Sequence, residues 1–312
     1  MTIRDRYTAF YHKLSAPPLF HHPRWLDILC GSDKWTALFY TDKKGREQAV
    51  LPITRPGKLH RFLLRQPPLT PWLGPLYSTD HNRSPQRQHA WQLKVMASFS
   101  QQMPRAALTI LHLAPRAGSW LPFYWTGFQQ TTRYTYQIDL TAPDARLWSA
   151  VARNQRQLIR RGQKELTVQE NGPWLDEVYQ GLQATLTRNK VPTPLSDRQW
   201  DKLTSWLLQE KKGILFSAAK VPGQPQGHVF LVWDDRTAYF LVSTAPGGKM
   251  TNNYTMPTLV WHAIRYAKAQ GQAVFDFEGS MLPGVGRFFR SFGALPVPYH
   301  RITKRDFWFW RG

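Results

Sequence analysis

Apolar and polar positions alternate between two periods along this chain, and the switch points outline its elements. Trp35 to Tyr40 and Gln48 to Ile53 read as two strands of a hairpin, with the charged turn Asp42 to Arg46 between them. A helix precedes them, entered at Pro23 and stopped at Gly31. Trp91, Val95 and Phe99 stand four apart and predict a helix over residues 82–103. Ala107 to Leu113 is β-branched and alternating, and predicts a strand. After an aromatic loop or short helix (Pro115 to Gly127), Thr132 to Leu140 alternates cleanly as a further strand. Helical spacing returns over Pro143 to Glu165, with Leu147, Val151, Leu158 and Ile159 on one stripe. Two more helices follow, over residues 174–190 and 197–209, separated by the Pro192–Pro194 break. Three strands come next: Ile214 to Ala219, His228 to Trp233 and Thr237 to Ser243, the last two joined by the turn Asp234 to Arg236. Tyr254 to Gln270 is a helix stopped by Gly271, Ala273 to Phe277 a short buried strand, and Gly286 to Gly293 a second short helix.

This succession predicts an α/β (α+β) chain. Its 312 residues suffice for two domains. We place the boundary near Leu140: residues 1–140 form one domain and 141–312 the other, with the last residues packing back on the first. Lys plus Arg exceed Asp plus Glu by 21. Such an excess favours polyanionic partners: nucleic acid, nucleotide-linked substrates or an anionic membrane face. A lone cysteine, Cys30, excludes a disulfide framework, and its apolar neighbours predict a buried side chain. His21 and His22 have no third ligand at useful spacing and read as a surface pair, so no metal site is expected. The start of the chain lacks an apolar signal core, and no window has the length of a membrane span. The expectation is a cytoplasmic protein, peripheral at the inner membrane face.

Candidate chemistry gathers near the end. Asp276 and Glu278 stand at the C-terminal end of a strand and face the same side because they are two residues apart. Ligands of open α/β sheets tend to bind at that edge. Either carboxylate is a candidate base, and Arg290 a candidate group for stabilising negative charge or binding a donor phosphate, with Phe289 beside it. The helix over 143–165 carries Arg153, Arg156, Arg160, Arg161 and Lys164 with no acid between the first and last, a surface able to grip phosphates. No Gly-x-Ser-x-Gly, poised Cys–His pair or phosphate-binding Walker loop is present.

Three stretches carry a family resemblance. Asp276-Phe277-Glu278-Gly279, a short loop, then Gly286 through Arg287-Phe288-Phe289-Arg290-Ser291-Phe292-Gly293 resemble the closing segment of the FemABX-like branch of the GNAT acyltransferases. There DF-x-G is usually followed by G-x-x-x-FK-x-x-FG, and Arg290 stands here where the lysine is usual. Leu147-Trp148 with Asn154, Arg156 and Ile159-Arg160-Arg161 is similar to the segment that opens the second GNAT domain. Phe20 to Leu26 and Pro68 to Pro75 resemble motifs of the first half. The resemblance implies two GNAT-like domains, each a mixed central sheet flanked by helices. It implies transfer of an acyl or aminoacyl group from aminoacyl-tRNA or acyl-CoA to an amine, the acceptor being an anionic nucleotide- or lipid-diphosphate-linked cell-wall precursor. The donor would be a co-substrate, with no tightly bound cofactor. Substrate-binding cations are implied at Arg188 and Lys190, with Arg198 close by in sequence, and at the basic stretch Arg55, Lys58, His60, Arg61 and Arg65. Gly247-Gly248-Lys249 lies where acyl-CoA enzymes of the superfamily hold a pyrophosphate on backbone N–H groups, but without the usual spaced glycines. The alternative is a non-catalytic GNAT scaffold that binds nucleic acid or another polyanion. Salt-dependent tRNA affinity without acyl turnover marks that case.

Overall fold

The structure, a computed structural model, describes residues 1–55, 63–78, 84–115, 117–188 and 195–306. Its contacts separate into two compact units, Met1–Arg133 with Pro298–Gly312, and Tyr134–Val297.

The first unit opens with α1 (Ile3–His12) and α2 (Pro23–Cys30). Strands β1 (Trp35–Thr41) and β2 (Glu47–Thr54) form the expected hairpin, and β4 (Leu76–Tyr77) pairs antiparallel with β2. A second group of strands contains β3 (Leu63–Arg65), β5 (Leu108–Leu113) and the residues from Pro298 onward of β12 (Leu295–Arg305). There β5 runs parallel to β3 and antiparallel to β12. Helices α3 (Pro85–Gln102) and α4 (Leu121–Trp125) complete the unit. Val95, Met96 and Phe99 on α3 close a core with Leu51, Ile53, Leu111, Phe123 and Ile302.

His21 is not the surface residue its pairing with His22 suggested. It is buried, its Nε2 lies 3.1 Å from both the N and the O of Gly74, and burial pushes its pKa down to about 4. His22 instead caps α2, its Nδ1 accepting from the Arg24 N–H at 3.0 Å. Cys30 is half-buried, and burial raises its thiol to about 12.

The second unit is built on β6 (Gln129–Asp139, from Tyr134), β11 (Val274–Asp276), β10 (Thr237–Thr244), β9 (Gln224–Trp233), β8 (Gly213–Val221) and β7 (Thr167–Glu170), in that order across the sheet. Every neighbouring pair is antiparallel except β10 and β11, which α9 (Thr255–Ala269) links as a parallel crossover. Val229 and Leu231 of β9 join α9 and Ile159 in one core. Alternation sends His228 and Phe230 to the opposite face, where Phe230 meets Trp200. That face is covered by α7 (Leu175–Arg188) and α8 (Asp197–Gln209).

The long helix expected over Pro143 to Glu165 is two: α5 (Asp144–Ala150) and α6 (Arg153–Glu165). Val151 and Ala152 are extended between them. The break has a cause elsewhere in the chain: the Ala152 N–H donates to the Ser291 carbonyl at 2.8 Å, and Val151 is drawn into the core. The last helix, α10 (Pro283–Arg290), packs Phe289 against Phe277.

Candidate active site

The parallel pair at the centre of the second unit is short. β10 and β11 stay in register for three pairs, Thr237 with Val274, Ala238 with Phe275 and Tyr239 with Asp276. Beyond Tyr239, β10 continues to Thr244 beside β9 alone, with a register shift between Phe240 and Val242. On the β11 side that stretch has no strand neighbour among the described residues. The two strands therefore fork at their C-terminal ends, where ligands of α/β sheets tend to lie.

Asp276 and Glu278 stand at the β11 arm of the fork, and their environments differ. Asp276 is fully buried. Its Oδ1 accepts from the Thr135 hydroxyl and from the Glu278 N–H at 2.7 Å, and its Oδ2 accepts from Gln137 Nε2 at 2.6 Å. Burial pushes its pKa up to about 6, against the pull of those three donors. A carboxylate so engaged is a holding group, because its lone pairs are occupied by protein donors.

Glu278 is what Asp276 holds. Its backbone is in the left-handed region (φ 59°), which a non-glycine residue adopts only when its surroundings enforce it. Three contacts do so: the bond to Asp276 Oδ1, the Phe277 N–H on the Tyr136 carbonyl at 3.0 Å, and the close seating of Gly279. A Cβ on Gly279 would lie 2.4 Å from the Tyr134 carbonyl oxygen, and φ there is 83°, so only glycine fits. The Glu278 Oε1 is enclosed and has no hydrogen-bond partner. Burial, then the neighbouring Asp276 charge, raises the Glu278 pKa well above the usual glutamate range. A buried acceptor without a donor costs free energy unless a ligand supplies one.

The arginine foreseen beside these carboxylates is placed elsewhere. Arg290 is exposed and directs Nη1 to the Tyr136 hydroxyl at 3.3 Å. Tyr136 alternates along β6 with Thr135 and Gln137, the two residues that hold Asp276, so Arg290 meets the opposite face of that strand. Among the described residues, the charge acting on Asp276 is that of Asp234, and the charge acting on Glu278 is that of Asp276. Gly286 admits this contact, since a Cβ there would lie 2.5 Å from the Tyr136 oxygen. Phe289 is a core residue stacked on Phe277 at 4.4 Å.

The remaining predicted positions spread over three surfaces. Arg153, Arg160 and Arg161 are exposed on α6. Arg160 lies over the Trp148 ring, while Arg161 pairs with Glu165 at 2.8 Å and covers Tyr254. Arg188 reaches the loop of interest: its Nη1 donates to the Gly248 carbonyl at 2.8 Å. Gly247 and Gly248 are both left-handed in a short 3-10 turn, and Lys249 is exposed beyond them. Arg198 is exposed at the start of α8. Lys190, and Lys58, His60 and Arg61 of the first domain, lie outside the described residues.

Sequence reasoning missed two arrangements. Thr135 and Gln137 sit on one side of β6 among apolar neighbours, a polar pair whose alternation was visible but whose partner was not. Asn252 caps α9, its Oδ1 accepting from the N–H groups of Tyr254 at 3.0 Å and Thr255 at 2.8 Å. Pro257, two residues further, contributes no N–H. The amide donors that make a helix N-terminus an anion site are therefore mostly taken or missing at α9. A Ser217–His228 contact of 2.8 Å, with Glu177 3.4 Å from the other ring nitrogen, has the residue types of a hydrolytic triad. Ser217 and His228 are sealed in the core, so this row is not a nucleophile site.

Residues 146–290 match the acetyltransferase (GNAT) domain family. That stretch is a GNAT domain, and the chain has a FemX-like fold. FemX itself is 13% identical, with a TM-score of 0.65 and 96% of each chain covered. L-PGS from Bacillus licheniformis is 14% identical, with a TM-score of 0.56 over 97% of this chain and 92% of that one. A tandem GNAT protein from the clavulanic acid biosynthesis pathway is 10% identical, with a TM-score of 0.51 over 97% and 93%. At such identities the likeness carries the fold, two GNAT-like domains in tandem. No curated protein sequence matches the chain.

Proposed function

We propose that this GNAT protein is an N-acyltransferase that moves an aminoacyl group from the ester of an aminoacyl-tRNA to an amine. The observation that carries the reading is the unpartnered, enclosed Glu278 Oε1, two residues beyond the last pair of the fork. An attacking amine supplies the missing donor. As its nitrogen bonds to the ester carbonyl carbon, Glu278 takes the proton it sheds. The tetrahedral adduct then expels the ribose oxygen, which takes up a proton, and an amide remains. A carboxyl with a raised pKa suits this task, since a base poised near the working pH transfers protons with the least mismatch. Asp276 positions Glu278 without touching the reacting atoms. The unpaired side of β10 beyond Tyr239 offers peptide groups to an extended donor.

The choice of tRNA over acyl-CoA rests on the capped start of α9. A CoA pyrophosphate cradled there would need N–H groups that Asn252 and Pro257 have removed. A tRNA presents its phosphates to side chains instead, and Arg153, Arg160 and Lys164 offer exposed cations along α6. The FemABX-like motifs point to the same donor. The acceptor is an anionic amine, nucleotide- or lipid-diphosphate-linked, and the enzyme works in the cytoplasm or at its membrane face.

The test is amide formation by purified protein with a panel of aminoacyl-tRNAs and the corresponding acyl-CoAs against amine acceptors. Turnover with a tRNA ester and none with CoA thioesters is expected. Salt-sensitive tRNA binding with no turnover from any donor would instead make this a binding scaffold.

A further inference from the structure

The loop that follows Glu278 has a surface unlike the rest of this basic chain. From Gly279 to Gly286 the sequence GSMLPGVG holds no charge, although charged residues make up 20% of the protein. Its tip is exposed at four consecutive positions, Met281 to Gly284, and Met281 and Leu282 keep 51% and 62% of their surface in water. Tyr134, whose backbone seats Gly279, is 40% exposed. The tip is held in shape, for the Leu282 N–H donates to the Ser280 hydroxyl at 3.1 Å and α10 starts at Pro283. About one and two turns later come Arg287 and Arg290, both exposed.

We propose that this tip is a membrane-contact element that seats the second unit on an anionic lipid bilayer, with Met281 and Leu282 among the acyl chains and Arg287 and Arg290 at the phosphates. A bilayer offers an anionic layer directly above an apolar one, the order in which these side chains follow each other. A single-stranded nucleic acid rewards aromatic stacking and phosphate contacts, and the exposed tip at Met281 and Leu282 carries no aromatic ring. A second copy of this chain, with the same net charge of +21, would be repelled. The inference rests on the proposed transfer reaction only for its consequence: the tip adjoins Glu278 in sequence, so the amine acceptor is met at the lipid surface.

The test is sedimentation of the full chain with vesicles of phosphatidylcholine alone or with added phosphatidylglycerol. Binding to the anionic vesicles that weakens with salt is expected. Met281→Ser with Leu282→Ser should weaken it roughly tenfold or more, and Arg287→Ala about fivefold, at an unchanged unfolding temperature. A dye on Leu282→Cys, in a Cys30→Ser background, should shift to the blue with anionic vesicles. No vesicle binding, equal binding by the double serine variant, or loss of tRNA affinity in place of vesicle affinity would overturn the proposal. Vesicle binding is read without turnover, so Glu278→Gln should bind as the wild type does, whatever its effect on transfer.

Discussion

The two ends of the β10–α9–β11 crossover are chemically opposite. At the start of α9 the polar groups are satisfied internally: Asn252 takes two amide donors and Pro257 lacks one. At the end of β11 the reverse holds, for a buried carboxyl oxygen is left open by a strained backbone that three contacts enforce. One end needs no ligand and the other is incomplete without one. The difference is why the proposed chemistry is put at the carboxylate arm of the fork, with donor phosphates left to exposed arginines.

The largest effect should come from disturbing the enforced backbone. Gly279→Ala forces a Cβ into the Tyr134 carbonyl and an alanine into a left-handed φ. A loss of about 2–4 kcal/mol in denaturant unfolding is expected, with the site lost as well. Gly271→Ala, also at positive φ but in open space, should cost only about 1 kcal/mol and spare the site.

Asp276→Asn comes next and separates holding from charge. Folded, Asp276 keeps its proton to about pH 6 because it is buried, whereas an unfolded aspartate releases it near about pH 4. Asp276 therefore contributes a fall in stability as pH rises through that window, on top of the fall that Glu278, raised well above the glutamate range, contributes there and beyond. The asparagine variant should lose the Asp276 part of the slope, keep the Glu278 part, and gain on the order of 2–3 kcal/mol relative to wild type at neutral pH, with Gln137 turning its amide to suit. His228 acts with the opposite sign. Burial pushes it down to about 4, so its contribution is lost as pH falls from about 6.5 through 4. Thermal melts between pH 4 and 8 read both effects.

At the closed end, Asn252→Ala should cost about 1 kcal/mol of stability through the lost cap. Donor affinity should not change. A drop in donor affinity there would mean that the start of α9 binds the donor after all.

Much of the architecture could be read from periodicity, because strands β8, β9 and β10 and helices α7, α8 and α9 carry strong apolar patterns in uninterrupted runs. The split of α5 from α6 could not, since its cause is a carbonyl at Ser291, more than a hundred residues away. β12 was hidden because Pro296 and Pro298 interrupt its start, and neither can donate to a ladder. At the site, spacing put Asp276 and Glu278 together and the structure keeps them adjacent. It could not assign their roles, because those depend on Thr135 and Gln137, which arrive from the neighbouring strand. The position of Arg290 on the other face of β6 was equally out of reach, for it depends on how α10 lies over Tyr136.

The account turns on Glu278 accepting the proton of the attacking amine. The most direct measurement is the pH dependence of single-turnover amide formation from an aminoacyl ester, by wild type and Glu278→Gln. The wild-type rate should rise with pH through a group titrating well above ordinary glutamate, and the variant should lose that limb together with about a hundred- to ten-thousandfold of the rate. The same limb and an undiminished rate in the glutamine variant would contradict the assignment.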